Sequence, residues 1–210
     1  MQILCLSKRR PQGRDLLTRP YGRFYHLPRY LAECGHDVKL SVLSYRRNEK
    51  PTQTEIDGLK IYSESLTSTG SPVRYLRFVK RAIAAKKFDW IIGFSDTWYG
   101  VLAQFLGERY HIKSLIDAYD NYESYIPWGK PIHWFWRRAL RRATAVTAAG
   151  PQLLELMLKG FSEKRNAIVP MAADPSFAPI SREKARKRLN LPSSTQIGRA
   201  SCRERVSFTV

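Results

Sequence analysis

At 210 residues, 43% of them hydrophobic and 12% aromatic, the chain is too apolar for a disordered basic tail, and it is long enough for one large domain core but not for two. Lys and Arg number 36 against 18 Asp and Glu; this formal charge of +18 describes a surface, not a fold, and points to anionic partners. Cys5 and Cys34 lack the spacing of a disulfide framework or a zinc site, the apolar run in MQILCLSKRR is too short for a signal peptide, and no stretch approaches the roughly 20 apolar residues of a membrane span. The expectation is a cytoplasmic chain, free or attached peripherally to the inner face of the membrane.

In chain order, Gln2–Leu6 predicts a strand that breaks at Ser7–Gly13. Phe24–Cys34 predicts a helix, with Leu27, Tyr30, Leu31 and Cys34 three and four apart and Gly35 as its stop. Val38, Leu40 and Val42 alternate as a strand, and Leu59–Tyr62 reads as a weaker one after the turn-prone Asp57–Gly58. Pro72 opens a helix with Val73, Leu76, Val79 and Ile83 on one face. A buried strand around Ile91, a helix over Trp98–Arg109 and a strand over Ser114–Ile116 follow. Then come a helix at Pro131–Arg142, a small-residue strand at Ala145–Ala148, a helix at Pro151–Lys159 and a strand at Ala167–Val169. This alternation predicts an α/β domain, a Rossmann-like mostly parallel sheet with helices on both faces.

Ligands of such sheets bind at the carboxyl ends of the strands, so the loops there are candidates. The first, SKRRPQGRDLLTRPYGRFYHLPR, is long and basic; Arg14, Arg19 and Arg23 could face a phosphate. It lacks the glycine spacing of a dinucleotide or P-loop motif, so a solvated loop fits equally well. In SDTWYG, Ser95 and Asp96 read first as helix caps. In DAYDNYESY, Asp117, Asp120, Asn121 and Glu123 stand among three tyrosines, the combination a sugar site uses: paired acceptors for hydroxyls and flat apolar surface for ring faces. Turn and capping chemistry is the competing reading. The acceptor-binding set is Asp96, Asp120, Asn121 and Glu123, with no metal site; His26 and His36 read as packing and capping residues.

Two helices carry the charge. On Pro131–Arg142, Ile132, Phe135, Trp136, Ala139 and Leu140 share a face, leaving Arg137, Arg138, Arg141 and Arg142 elsewhere; Arg74, Arg77 and Arg81 form a second stripe after Pro72. These faces are either solvated or rest on anionic lipid, where each basic residue contributes about 1 kcal/mol. A nucleic-acid partner would need the same charge, but no RNA or DNA recognition module is seen.

Several stretches in order resemble a known family. Leu31, Ala32, Gly35, His36 and Val38 form L-A-x-x-G-H-x-V, and Val169–Pro170, Asp174, Phe177 and Pro179 hold most of a V-P-N-G-V-D-x-x-x-F-x-P pattern. Together they resemble the N-terminal domain of family 4 glycosyltransferases. Met171 and Ala172 replace the usual Asn-Gly, and Tyr21–Gly22–Arg23 stands where a glycine pair is common. The resemblance implies a GT-B fold, with the acceptor on this domain and the nucleotide sugar mainly on a second one. It also implies retaining, metal-independent transfer without a cofactor to a glycan or lipid-linked acceptor, in cell-surface polysaccharide synthesis. It assigns no catalytic residue. A GT-B relative such as a nucleotide-sugar epimerase, or a basic nucleic-acid or membrane-binding domain without catalysis, are the alternatives.

The resemblance implies an acceptor-side domain over 1–180 and the start of the donor domain over 181–196, with Ser181–Leu189 as a helix. From Ile197 neither period continues. Ile197–Val206 is similar to the conceptual translation of a common short-read sequencing adaptor, so 197–210 is expected to be a non-native tail, with Ser207–Val210 unexplained. Without it the charge is still about +16.

Overall fold

The apolar run after Met1 forms β1 (Gln2–Lys8), buried on both faces as the central strand of a parallel sheet must be. In this computed structural model, residues 1–94, 96–125, 129–161, 165–172 and 180–192 are described. The chain divides into two units, Met1–Ala173 and Asp174–Val210.

In the first unit, β1 leads through a long loop to α1 (Arg23–Glu33) and then to β2 (Asp37–Arg47). Gly35, at φ +81°, ends α1: its N–H reaches the Ala32 carbonyl at 2.9 Å, and the His36 N–H reaches Leu31 at 3.2 Å. His36 thus caps through its backbone, and His26 packs edge-on against Tyr25. β3 (Thr52–Ile56) and β4 (Leu59–Leu66) form a hairpin about Asp57–Gly58, whose φ values of +49° and +75° suit a two-residue turn. β3 is absent from the sequence reading because Thr-Gln-Thr-Glu-Ile is an edge strand with little to bury.

Next come α2 (Val73–Ala85), β5 (Trp90–Gly93), α3 (Thr97–Tyr110), β6 (Lys113–Ala118), a single turn α4 (Tyr122–Tyr125), α5 (Lys130–Arg142), β7 (Ala145–Ala148), α6 (Pro151–Leu158) and β8 (Arg165–Ile168). The eight strands run in the order β3-β4-β2-β1-β5-β6-β7-β8, parallel except for β3.

Side chains alternate across β1. Ile3 and Cys5 join Phe24, Tyr25, Val38, Leu40 and Ile61 under α1, while Leu4 and Leu6 join Tyr75, Val79, Ile91, Tyr99 and Leu106 under α2 and α3. A third cluster of Ile116, Trp136, Leu140, Val146 and Met157 seats α5 and α6. Cys5 is buried and Cys34 exposed, both free thiols. α3 lies so close to β5 that a Cβ on Gly93 would stand 2.3 Å from the Tyr99 carbonyl oxygen.

The buried face of α5 is Trp136, Ala139, Leu140 and Ala143. Phe135, expected on that face, is exposed, because it lies one residue off the i, i+3, i+4, i+7 row that meets the sheet. In the second unit, Ser181 caps α7 (Arg182–Arg188) by accepting the Lys184 N–H at 3.4 Å. The 197–210 tail, Asp174, Phe177 and Pro179 lie outside the described residues.

Candidate active site

From β1 the chain builds outward through β2 to β4, then crosses back to place β5 on the other side of β1. The loops after β1 and β5 therefore diverge, which opens a crevice at the carboxyl ends of the strands. Lys8, the last residue of β1, and Asp96, the N-cap of α3, meet across it with Nζ 3.5 Å from Oδ2. Capping, the sequence's first reading of Asp96, is not what its carboxylate does: it makes no cap hydrogen bond. Instead Oδ2 accepts the Tyr45 hydroxyl at 3.1 Å, and Tyr45 in turn accepts the Tyr99 hydroxyl at 3.3 Å. Lys8 also lies over the Tyr45 ring, 5.4 Å from its centroid. Burial raises the Tyr45 and Tyr99 phenols above their ordinary range, and the Asp96 charge raises Tyr45 further, so both remain donors. Ser95 lies outside the described residues.

On one flank the long loop is clamped. Arg9 donates to both Asp15 oxygens (3.0 and 3.1 Å), and Arg10 reaches Glu49 at 2.9 Å and Ser44 at 2.7 Å. For Asp15 and Glu49 burial alone would raise the carboxyls, but the Arg9 and Arg10 partners outweigh it and both titrate below their ordinary values. Of the expected anion-binding cations, Arg14 is exposed over the Tyr21 ring at 5.3 Å and Arg19 is exposed. Arg23 differs from expectation. It is the first residue of α1, buried, with its guanidinium bidentate on Asp117 at 2.9 and 2.7 Å. Thr147 donates to the same carboxylate at 2.6 Å, and Arg23 Nη1 donates to the Val169 carbonyl at 2.9 Å. This pair ties α1, β6, β7 and the chain leaving β8 together.

On the other flank, Asp120, Asn121 and Glu123 do come together. Asp120 Oδ1 accepts the Asn121 N–H at 2.9 Å, and Glu123 is held by Arg137, whose Nε lies 2.8 Å from Oε1. Arg137 also donates to the Leu156 carbonyl at 2.7 Å, so it brackets α4, α5 and α6 and is not the free surface cation expected from its helix position. The space between these residues holds only about 10 Å³, room for one water and too small for a sugar ring. The tyrosines form an edge-to-face series, Phe24–Tyr119–Tyr122–Trp136, with centroids 5.2, 5.9 and 5.7 Å apart. Burial raises Tyr122 well above its ordinary value, and the charges of Tyr119, Asp117 and Asp96 raise it further. Its hydroxyl has no partner among the described residues.

Arg74, Arg77, Arg81, Arg138 and Arg141 are exposed, and Arg142 pairs with Glu108. No described helix is long and apolar enough to cross a membrane.

A mostly parallel sheet of this order with polar side chains gathered at its switch point defines a Rossmann-like α/β domain. Residues 22–172 match the model of the glycosyl transferase 4-like domain, and the chain belongs to that family. No curated protein sequence matches the chain. Among solved structures it is similar to a sucrose-phosphate synthase from Thermosynechococcus elongatus (TM-score 0.68, 16% identity, 92% of this chain and 54% of that one). It is also similar to HepE of Anabaena in complex with UDP (0.58, 15%, 90% and 50%) and to a UDP-N-acetylglucosamine 2-epimerase from Listeria monocytogenes (0.50, 12%, 75% and 42%). At these identities the likeness is one of fold, and the chain spans about half the length of the first two structures.

Proposed function

We propose that residues 1–180 are the acceptor-side domain of an enzyme that moves a sugar from a nucleotide-sugar donor to a glycan or lipid-linked acceptor in cell-surface polysaccharide synthesis, at the cytoplasmic face of an anionic membrane. The donor side begins at 181–196. The UDP in the HepE structure, on a chain about twice the span of this one, supports a nucleotide-sugar donor.

The observation that carries the reading is the Asp96 carboxylate, released from capping and presented at the switch point by Lys8 and Tyr45. A carboxylate held by one ammonium and one phenol keeps lone pairs for a substrate hydroxyl. Such a hydrogen bond orients the acceptor oxygen toward the donor's anomeric carbon and lessens the entropy lost in bringing the two together. Lys8 and the Tyr45 hydroxyl, held protonated by burial, both engage Asp96 Oδ2, which leaves Oδ1 free. Asp120 and Asn121 stand in the turn that follows β6, and Glu123 fixes that turn through Arg137.

In the chain extended by its genomic continuation, Asp96→Asn should raise the acceptor KM about tenfold or more, the worth of one hydrogen bond to a charged group, with the donor KM unchanged. A change confined to the donor KM would contradict this assignment.

A further inference from the structure

The face of α5 turned away from the sheet carries large apolar side chains that fold stability does not require. Trp134 is 60% exposed and Phe135 51%, their rings edge-to-face at 4.9 Å, with the Arg138 guanidinium 5.9 Å from the Trp134 centroid. On α3, Phe105 is also 56% exposed. It lies one helical turn before Glu108, which binds Arg142 of α5, with Arg142 Nε 3.1 Å from Oε2. Lys130, Arg138 and Arg141 are exposed on the same helix, and α5 contains no acidic residue. A solvated basic helix has no need of two adjacent exposed aromatic rings; a helix lying in a lipid interface does, because Trp and Phe bury their rings at headgroup depth while arginines meet lipid phosphates.

We propose that this aromatic edge of α5 is the docking site for an anionic lipid bilayer, with Trp134 and Phe135 entering the interface. The inference rests on the lipid-side reading above and sharpens it, since the arginine stripe of α2 (Arg74, Arg77, Arg81) then supplies only long-range attraction. Charge complementarity selects the occupant: a chain of formal charge +18, whose exposed rings are flanked by cations, fits a negatively charged surface with an apolar interior.

The test uses sedimentation with phosphatidylglycerol-containing and pure phosphatidylcholine vesicles, the former also with brominated acyl chains that quench tryptophan on contact. The wild-type chain should bind the anionic vesicles, keep part of that binding when salt shortens the Debye length to about 3 Å, and be quenched. Trp134→Phe should bind but lose most of the quenching. Trp134→Ser with Phe135→Ser should bind about tenfold more weakly or worse, its residual binding abolished by salt, with an unchanged thermal melt because both side chains are exposed. Equal binding by the double variant, or undiminished quenching in Trp134→Phe, would overturn the site while leaving membrane attachment standing. Failure of the wild-type chain to bind anionic vesicles, with or without retention on DNA at the same salt, would overturn the site and the lipid reading together.

Discussion

Replacing Asp117 by Asn isolates the buried ion pair at the heart of the first unit. The Arg23 and Asp117 side chains are 5% and 1% exposed, joined by two hydrogen bonds of 2.9 and 2.7 Å. An asparagine can still accept from Thr147, but it leaves the Arg23 guanidinium buried with its charge uncompensated. Removing one partner of such a pair costs about 3–5 kcal/mol. In a domain of this size that corresponds to a fall of roughly 6–20 °C in Tm. Arg23→Met combined with Asp117→Leu removes both charges and should recover most of the loss, apart from about 1 kcal/mol each for the Val169 carbonyl left without Arg23 and the Thr147 hydroxyl left without Asp117. Thermal and urea unfolding followed by circular dichroism read all three proteins. An Asp117→Asn variant within about 1 kcal/mol of wild type, or a double variant as unstable as the single, would refute the reasoning.

Two further predictions concern the same edge of the sheet. Gly93→Ala forces a methyl to within 2.3 Å of the Tyr99 carbonyl oxygen, backbone that cannot turn aside, so α3 should shift at a cost of about 1–3 kcal/mol and displace Asp96; an alanine variant of full stability would contradict that packing. Asp15 and Glu49 titrate lower in the folded chain than unfolded, so their contribution is complete above the unfolded values of about 3.9 and 4.3 and is lost as pH falls through the folded ones. Melting temperature should therefore decline below about pH 4.5, and less steeply in Asp15→Asn/Glu49→Gln; identical slopes would show that the clamp does not act.

What the sequence made legible follows the range over which each signal acts. β1, β2 and β5 are apolar runs and α2 carries a 3.6-residue stripe, so periodicity finds them; α1 is found as a helix but on the wrong stripe, since Tyr30 and Cys34 are exposed and Phe24, Tyr25 and Pro28 are the buried apolar residues. β3 hides because an edge strand buries little. Phe135 was misplaced because one residue of phase on α5 separates the core row from the surface, and nothing local sets that phase. Asp120, Asn121 and Glu123 were legible as neighbours because one turn holds them. Nothing local marks Lys8, and Asp96 reads first as a cap, because their pairing spans 88 residues and depends on β5 lying beside β1. Arg23 reads as a loop cation because α1 begins one residue before its first apolar residue, Phe24. Its partner Asp117 lies 94 residues away, beyond any local pattern. A signal was available for Lys8: it is the last residue of the strand whose carboxyl end must border the crevice.

The central claim is that this chain presents the acceptor while the donor's diphosphate is held elsewhere. Transfer of labelled sugar from a panel of nucleotide sugars, assayed with the chain alone and with its genomic continuation restored, tests that division most directly. Stabilising the leaving diphosphate is commonly the largest catalytic contribution, so the account predicts no turnover by the chain alone and turnover by the extended protein. Turnover by the 210-residue chain would place the donor site within it and contradict the account.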